Sequence, residues 1–127
     1  MNSEVSPGEP IARFLRSSGH TRPSLGKASY AAFMPPHEAG TISVFCAMGL
    51  DAAELQKLGR LHVQLNGPAL KGHALVPASA FFNQGLSIEV DGKPHPRHAN
   101  AVGWELDVKN RIIARALAEA SVLRDYR

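Results

Sequence analysis

The fold is decided by one stretch of the sequence, Thr41-Ile42-Ser43-Val44-Phe45-Cys46. Its β-branched and aromatic residues favour an extended backbone, and glycines stand near both of its ends. Residues 28–33 predict a second, weaker strand, because alanine is depleted in strands. The few residues between the two segments favour an antiparallel pair.

A helix start signal follows this stretch. Asp51 is a favourable N-cap, and Glu54, three residues later, can return a hydrogen bond to the cap. We expect this helix to end at Gly59, because glycine is the favoured residue just past a helix end.

Two further helices are predicted, one near each end of the chain. Residues 11–15 carry apolar side chains at helical spacing, and Gly19 favours a helix end shortly after them. The C-terminal helix begins after Asp107, and its apolar side chains fall on one face, which Ile113 and Leu117 widen: Val108, Ile112, Ala116, Ala120 and Leu123. This long amphipathic segment is the clearest helix in the sequence.

Alternation of apolar and polar residues marks further strands. Residues 61–65 and 86–90 alternate in this way, and residues 72–76 form a short apolar run. Residues 77–83 begin with a proline and predict a helical turn. Helices and strands follow one another without a regular βαβ alternation. We therefore expect an α+β domain, a mainly antiparallel sheet with about three helices packed on it.

Length and composition bound the class of protein. A chain of 127 residues, 44% hydrophobic and 20% charged, is sufficient for one domain with its own core. We expect residues 10–127 to form that domain and residues 1–9 to be a disordered lead-in. Cys46 is the only cysteine, which excludes an intrachain disulfide and favours the cytoplasm. The sequence contains neither a membrane-spanning run nor a secretory signal, so we expect a soluble protein.

The run that precedes the C-terminal helix is the first candidate site. It reads Lys93-Pro94-His95-Pro96-Arg97-His98-Ala99-Asn100-Ala101-Val102-Gly103-Trp104. We interpret it as a solvent-exposed loop that binds an anion, with donors from Lys93, His95, Arg97 and His98. Asn100 and Trp104 would contact a base or a ribose. The alternative is that Trp104 anchors the C-terminal helix in the core and that Arg97 pairs with an acid such as Glu89 or Asp107.

A second basic segment lies near the N-terminus. Residues 10–37 contain no acid and carry the cations Arg13, Arg16, Arg22 and Lys27. A local positive field of this kind attracts phosphates or acidic protein surfaces. Arg13, Arg16 and Arg22 are therefore candidate binding residues, which would extend the first site if the fold brings the two segments together. The alternative is a solvated face that keeps the protein soluble.

Metal binding and catalysis have less support in the sequence. The six histidines show no metal-ligand spacing and there is no cysteine pair, so neither a metal nor a cofactor is expected. His73 or His98 has the chemistry of a general base, with Ser29, Tyr30 or Ser79 as candidate partners. Since no motif of a hydrolase or a nucleotide-binding enzyme is present, no catalytic residue is assigned.

Several segments also carry a resemblance. They are residues 28–36, 42–45, 49–59, 85–91 and 97–104, and the most specific is Arg97-His98-Ala99-Asn100 followed by Val102-Gly103-Trp104. In these segments the chain resembles a small bacterial family of uncharacterised single-domain proteins. The resemblance covers most of residues 28–120 and implies one compact domain, without implying an activity.

These observations favour a non-catalytic cytoplasmic module that binds an anionic partner, either nucleic acid or a phosphate-bearing ligand. One alternative is a small regulator or inhibitor that docks its basic face on an acidic protein. Another is a phosphate-directed enzyme with His98 or His73 as its general base. No membrane partner is expected, and the sequence indicates no oligomeric state.

Overall fold

A computed structural model describes residues 5–36, 40–93, 95–104 and 109–126. In this part of the chain six strands form one antiparallel sheet, which three α-helices accompany. The expected α+β class is confirmed, including the C-terminal helix. Among the described residues, no helix is long and apolar enough to cross a membrane.

The strands, in chain order, are β1 (Pro10–Leu15), β2 (Thr21–Arg22), β3 (Lys27–Ala28), β4 (Ile42–Cys46), β5 (Gly72–Pro77), β6 (Ser87–Val90), β7 (His98–Val102) and β8 (Val122–Asp125). The helices are α1 (Ala52–Gly59), α2 (Ala78–Asn83) and α3 (Lys109–Ala120). The main sheet has the order β6-β7-β4-β1-β5-β8, and β2 and β3 form a separate ribbon. β4 therefore lies between β7 and β1, next to both candidate segments.

One face of the sheet carries the main core. Ile11 of β1, Val44 of β4 and Ala99 of β7 are fully buried there. They belong to one cluster with Phe81 of α2 and Leu117 of α3. The removal of this apolar surface from water holds α2 and α3 to the sheet.

The opposite face carries a smaller cluster. Phe14 of β1 and Phe45 of β4 pack there with Leu55 and Leu58 of α1. Gly59 lets α1 approach the sheet closely, because an added Cβ atom would lie 2.6 Å from Cε1 of Phe14. α1 is thereby fixed on the face of the sheet that carries Phe14 and Phe45.

Several local predictions are confirmed. The structure has strands at β4, β5 and β6, and α2 occupies the predicted helical turn. α1 begins with a complete capping box: the Glu54 amide donates to Asp51 Oδ1 and the Asp51 amide donates to Glu54 Oε1. The lead-in is described from residue 5 onwards, and the carbonyl oxygen of Glu9 accepts a hydrogen bond from the Ala78 amide.

The prediction of a helix over residues 11–15 is wrong. These residues form β1, which pairs with β5 along its whole length. Ile11 and Leu15 belong to the main core, whereas Ala12 and Phe14 belong to the smaller cluster on the other face. A strand that is buried on both faces shows no alternation of apolar and polar residues, so its apolar spacing imitates that of a helix.

The predicted strand over residues 28–33 is also wrong. Its first residue ends β3, and its last four form the 3-10 turn Tyr30–Phe33, in which Ala32 and Phe33 are buried. The expected pairing of this segment with β4 is absent for the same reason, because β4 pairs with β1 and β7. The run of alanines specifies a compact turn as readily as a strand.

Residues 61–65 were expected to alternate as a strand, and that prediction is wrong too. They continue α1 as the π-helical turn Arg60–Gln64. Gly59 does not end the helix. A glycine is required at this position because the helix approaches Phe14 closely. Leu61 is 58% exposed and Leu65 68% exposed, so the alternating pattern does not reflect burial on a sheet.

α3 packs through a face that includes the predicted Leu117 but is turned away from Ile112, and the predicted Leu123 lies past its end, in β8. Ala114, Leu117 and Ala118 are buried, whereas Ile112 is 65% exposed. Small side chains at the contact allow the helix to lie close to the 3-10 turn Tyr30–Phe33. The predicted N-cap Asp107 lies outside the described residues, as does Val108.

Candidate functional site

Residues 98–102 of the run 93–104, interpreted above as an exposed loop, form the strand β7. β7 pairs with β4 on one side and with β6 on the other. His98 is only 8% exposed and Trp104 9%. Alanine and asparagine are depleted in strands, so it is the two neighbouring strands that specify this one.

Ser43, His98 and Asp91 form a continuous hydrogen-bonded chain. Oγ of Ser43 lies 2.5 Å from Nε2 of His98, and Nδ1 of His98 lies 2.6 Å from Oδ1 of Asp91. The sheet register produces this arrangement, because Phe45 stands opposite His98 and Val90 stands opposite Ala99. A hydroxyl, an imidazole and a carboxylate in this order form the arrangement that activates a hydroxyl as a nucleophile.

Two further donors fix the Asp91 carboxylate. Nδ2 of Asn100 donates to Oδ2 over 3.0 Å, and the backbone amide of Lys93 donates to Oδ1 over 3.2 Å. Partial desolvation raises the pKa of Asp91, but the hydrogen bonds from His98, Lys93 and Asn100 outweigh it. The pKa of this carboxyl therefore lies below its ordinary value. Asp91 is ionised at neutral pH.

The ionised Asp91 determines which ring nitrogen of His98 carries the proton. A carboxylate only accepts hydrogen bonds, so Nδ1 of His98 is the donor and Nε2 of the neutral ring accepts from the Ser43 hydroxyl. The ring is held by an edge contact with Phe45, with ring centroids 5.3 Å apart. Ser43 itself is exposed. The site thus has an oriented imidazole behind a solvent-accessible hydroxyl.

Arg13 lies beside this chain and is anchored by the backbone. Its Nη1 donates to the carbonyl oxygen of Ser43 over 2.8 Å, and its Nε donates to that of Ala32 over 2.9 Å. Burial, and after it the charge of Arg16, lowers the pKa of Arg13 to about 10. The guanidinium therefore remains a cation at neutral pH.

A groove of about 210 Å³ opens in front of Ser43. Its polar lining comprises two cations, two imidazoles and a hydroxyl: Arg13, Arg16, His62, His98 and Ser43. Its apolar lining includes Phe14 and Phe45, whose rings meet edge to face at 5.4 Å. The fold thus brings part of the N-terminal basic segment and part of the run 93–104 to the same groove.

His95 and Arg97 make contacts within the protein. Nη1 of Arg97 donates to the carbonyl oxygens of Cys46 and Met48, over 3.1 and 2.8 Å. Nδ1 of His95 accepts from the Arg97 amide, and its ring lies 4.6 Å from that of His62. Burial, followed by His62 and Arg97, lowers the pKa of His95, so this ring is mostly neutral at pH 7. Arg97 thereby holds the segment after β4 in place.

The other predicted residues lie away from the groove. Trp104 is buried in the main core, and its Nε1 donates to the carbonyl oxygen of Ala101 over 3.1 Å. Nη1 of Arg22 lies 3.7 Å from Oε2 of Glu119 on α3. Lys93 is exposed beside Asp91.

Ser43, Asp91 and His62 do not stand out as site residues in the sequence. Ser43 is a polar residue inside an apolar stretch, and this was the one available signal for it. Asp91 precedes a glycine, and Asp-Gly is a common turn sequence, so an aspartate at this position does not by itself indicate a site. The other candidate base, His73, is buried and hydrogen-bonds to Tyr126 instead.

No family model, curated protein or solved structure matches this chain. The segments that carry the resemblance noted above do meet at the site, since 42–45, 85–91 and 97–104 contain Ser43, Asp91 and His98. Among the described residues, no three metal-ligating side chains are grouped as a metal site requires.

Proposed function

We propose that the groove in front of Ser43 binds a small anionic ligand that carries a phosphate or a carboxylate group. The observation that supports this function is the convergence of Arg13, Arg16 and two imidazoles on one concave space of about 210 Å³. No acidic side chain is among the described residues that line it. The field inside such a cleft is positive and attracts anions.

The two arginines contribute in different ways. The hydrogen bonds from Arg13 to the carbonyl oxygens of Ser43 and Ala32 fix its guanidinium before any ligand arrives, which reduces the entropy lost on binding. Arg16 is exposed, and its Nη2 lies 3.4 Å from the carbonyl oxygen of Val63. Its planar group can turn to meet two oxygens of a phosphate or a carboxylate.

The size of the groove favours a small ligand over a nucleic-acid strand. Pockets for drug-sized ligands measure roughly 300–1,000 Å³, so this one accommodates an anionic group with a short substituent. Phe14 and Phe45 offer apolar contacts to that substituent.

The test is an NMR titration of the wild-type protein with inorganic phosphate and, separately, with acetate. Saturable shifts at groove amides support the proposal, and the better of the two anions identifies the ligand class. Arg16→Glu should raise the Kd by about tenfold or more, because a hydrogen bond to a charged group contributes about 1.5 kcal/mol.

The matched control is Arg22→Glu, which changes the net charge equally at a cation remote from the groove. It should leave the Kd within about twofold, since Arg22 does not line the groove and salt screens the interaction of its exposed charge with the bound anion. Equal weakening by both variants would show a general field effect in place of a site. A wild-type protein that binds neither anion would overturn the proposal.

A further inference from the structure

We propose that Ser43 is a nucleophile and that the protein hydrolyses a small carboxylic ester. The activity would depend on the chain Ser43–His98–Asp91, and the choice of an anionic ester rests on the function proposed above. Ser43 and His98 come from the adjacent strands β4 and β7, and Asp91 directly follows β6, the next strand of the sheet, so backbone pairing sets their spacing.

The geometry matches what such chemistry requires. The distance from Ser43 Oγ to His98 Nε2 is 2.5 Å, and from His98 Nδ1 to Asp91 Oδ1 it is 2.6 Å. Ser43 and His98 are close enough for direct proton transfer, and Asp91 orients the His98 ring. Asn100 in turn holds Asp91 over 3.0 Å.

Exposure to solvent also separates the roles of Ser43 and His98. Ser43 is exposed and lines the groove, whereas His98 lies largely buried behind it. A serine on an exposed position is fully satisfied by water and does not require a buried imidazole as its partner. The arrangement directs one reactive hydroxyl towards the space that a substrate would occupy.

The reaction balances with water as the only co-reactant. Oγ of Ser43 attacks the ester carbonyl carbon while its proton passes to Nε2 of His98. The tetrahedral intermediate then expels the alcohol, which takes that proton, and an acyl-Ser43 ester remains. Water attacks this ester and gives a proton to His98, and collapse releases the acid and returns the proton to Ser43. Asp91 accepts the Nδ1 hydrogen bond throughout and stabilises the imidazolium.

Arg13 supplies a fixed positive charge beside β4. Its Nη1 is 2.8 Å from the backbone carbonyl oxygen of Ser43, and Arg13 is among the residues that line the groove. In this proposal its charge stabilises the oxyanion that forms on the ester. A fixed cation beside a developing oxyanion lowers the barrier because it needs no reorganisation during the reaction. The cationic groove then favours esters whose acid part ends in a carboxylate over neutral esters of the same length.

Two measurements test the inference. The first is labelling of the wild-type protein with a neutral fluorophosphonate, followed by intact mass and peptide mapping. The second is protein-dependent hydrolysis, above the spontaneous rate, of p-nitrophenyl hexanoate and of the mono-p-nitrophenyl ester of adipic acid, which has the same chain length. We expect one phosphonyl group on Ser43 and faster protein-dependent hydrolysis of the adipate ester.

Ser43→Ala should abolish labelling and lower hydrolysis by about 1,000-fold or more. The matched control is Ser87→Ala, since Ser87 is an exposed serine on β6 of the same sheet. This control should label and hydrolyse as the wild type does. Labelling that persists in Ser43→Ala, or a wild-type protein that neither labels nor hydrolyses either ester, overturns the inference.

The two proposals fail separately. Ser43→Ala should still bind phosphate or acetate in the NMR titration, and Arg16→Glu should still be labelled by the neutral reagent. Anion binding without labelling leaves the binding function and removes the nucleophile. Labelling without anion binding leaves the nucleophile and removes the preference for anionic esters.

Discussion

Nη1 of Arg13 donates a hydrogen bond to the carbonyl oxygen of Ser43 over 2.8 Å, just past the paired residues of β1 and β4. The described pairing joins Ile11 to Cys46 and Ala12 to Phe45. Past these residues a side chain joins the two strands in place of a backbone ladder. Arg13 therefore has a structural role and a role in the groove.

Replacement of Arg13 by methionine should destabilise the fold by about 1–3 kcal/mol, because the part-buried carbonyl oxygen of Ala32 loses its donor. Arg16→Met is the matched control, since Arg16 is exposed, and it should change stability by less than about 0.5 kcal/mol. Urea denaturation of both variants measures the difference. Equal stabilities would show that Arg13 does not join the strands.

Asp91→Asn should lower the rate of Ser43 phosphonylation by about 1,000-fold or more, because an amide favours the wrong tautomer of His98. Glu89→Gln is the control, since it removes a carboxylate from β6 two residues away. The second-order rate of fluorophosphonate labelling measures both, with circular dichroism to establish folding. A folded Asp91→Asn protein that labels at the wild-type rate would remove Asp91 from the mechanism.

His73 should make stability fall in mild acid. Burial, and after it the charge of Arg124, lowers the pKa of His73 to about 4, against about 6.5 in the unfolded chain. Between these values the unfolded chain binds a proton that the native protein does not, so stability is retained above pH 6.5 and lost as the pH falls towards 4. The loss from this group is about 3 kcal/mol.

Urea denaturation at several pH values from 4 to 7 checks this expectation. His73→Phe, which keeps an aromatic ring beside Phe14, should show a smaller fall than the wild type over that interval. The quantity to compare is the slope of unfolding free energy against pH, because the variant also loses the contact with Tyr126. Identical slopes would show that His73 is protonated equally in both states.

Gly72→Ala should destabilise the protein by about 1–3 kcal/mol, because the added Cβ would lie 2.4 Å from the carbonyl oxygen of Arg124. That atom belongs to the backbone of β8, so the edge strand must move to relieve the contact. Gly8→Ala is the control, since its Cβ would meet nothing within 4 Å. Thermal unfolding of both variants compares them, and similar midpoints would contradict the prediction.

The sequence reveals those elements of this fold that local chemistry specifies. Asp51 and Glu54 form the capping box that their spacing predicts, and the apolar stretch around Val44 is the strand it was expected to be. β1 and β7 escape detection for opposite reasons. β1 is apolar on both faces, whereas β7 consists mostly of residues that favour strands poorly and depends on its neighbours.

The candidate site is only partly visible in the sequence for a related reason. His98, Arg13 and Arg16 stand out because clustered cations and imidazoles are unusual at any position. Ser43 is an ordinary strand residue and Asp91 an ordinary residue of the connection after β6, and they become significant only through the register that pairs β4, β7 and β6. Register is a property of long-range pairing, so no local pattern contains it.

The π turn Arg60–Gln64 gives the groove two walls of different character. His62 and Val63 come from this turn, and Leu65 follows it at a positive φ of 50° that non-glycine residues rarely adopt. Ser43 and His98 come instead from the paired strands β4 and β7. Substitutions confined to residues 60–65 should therefore alter which molecules enter while the reacting atoms stay in place, so selectivity and reactivity can diverge independently in this scaffold.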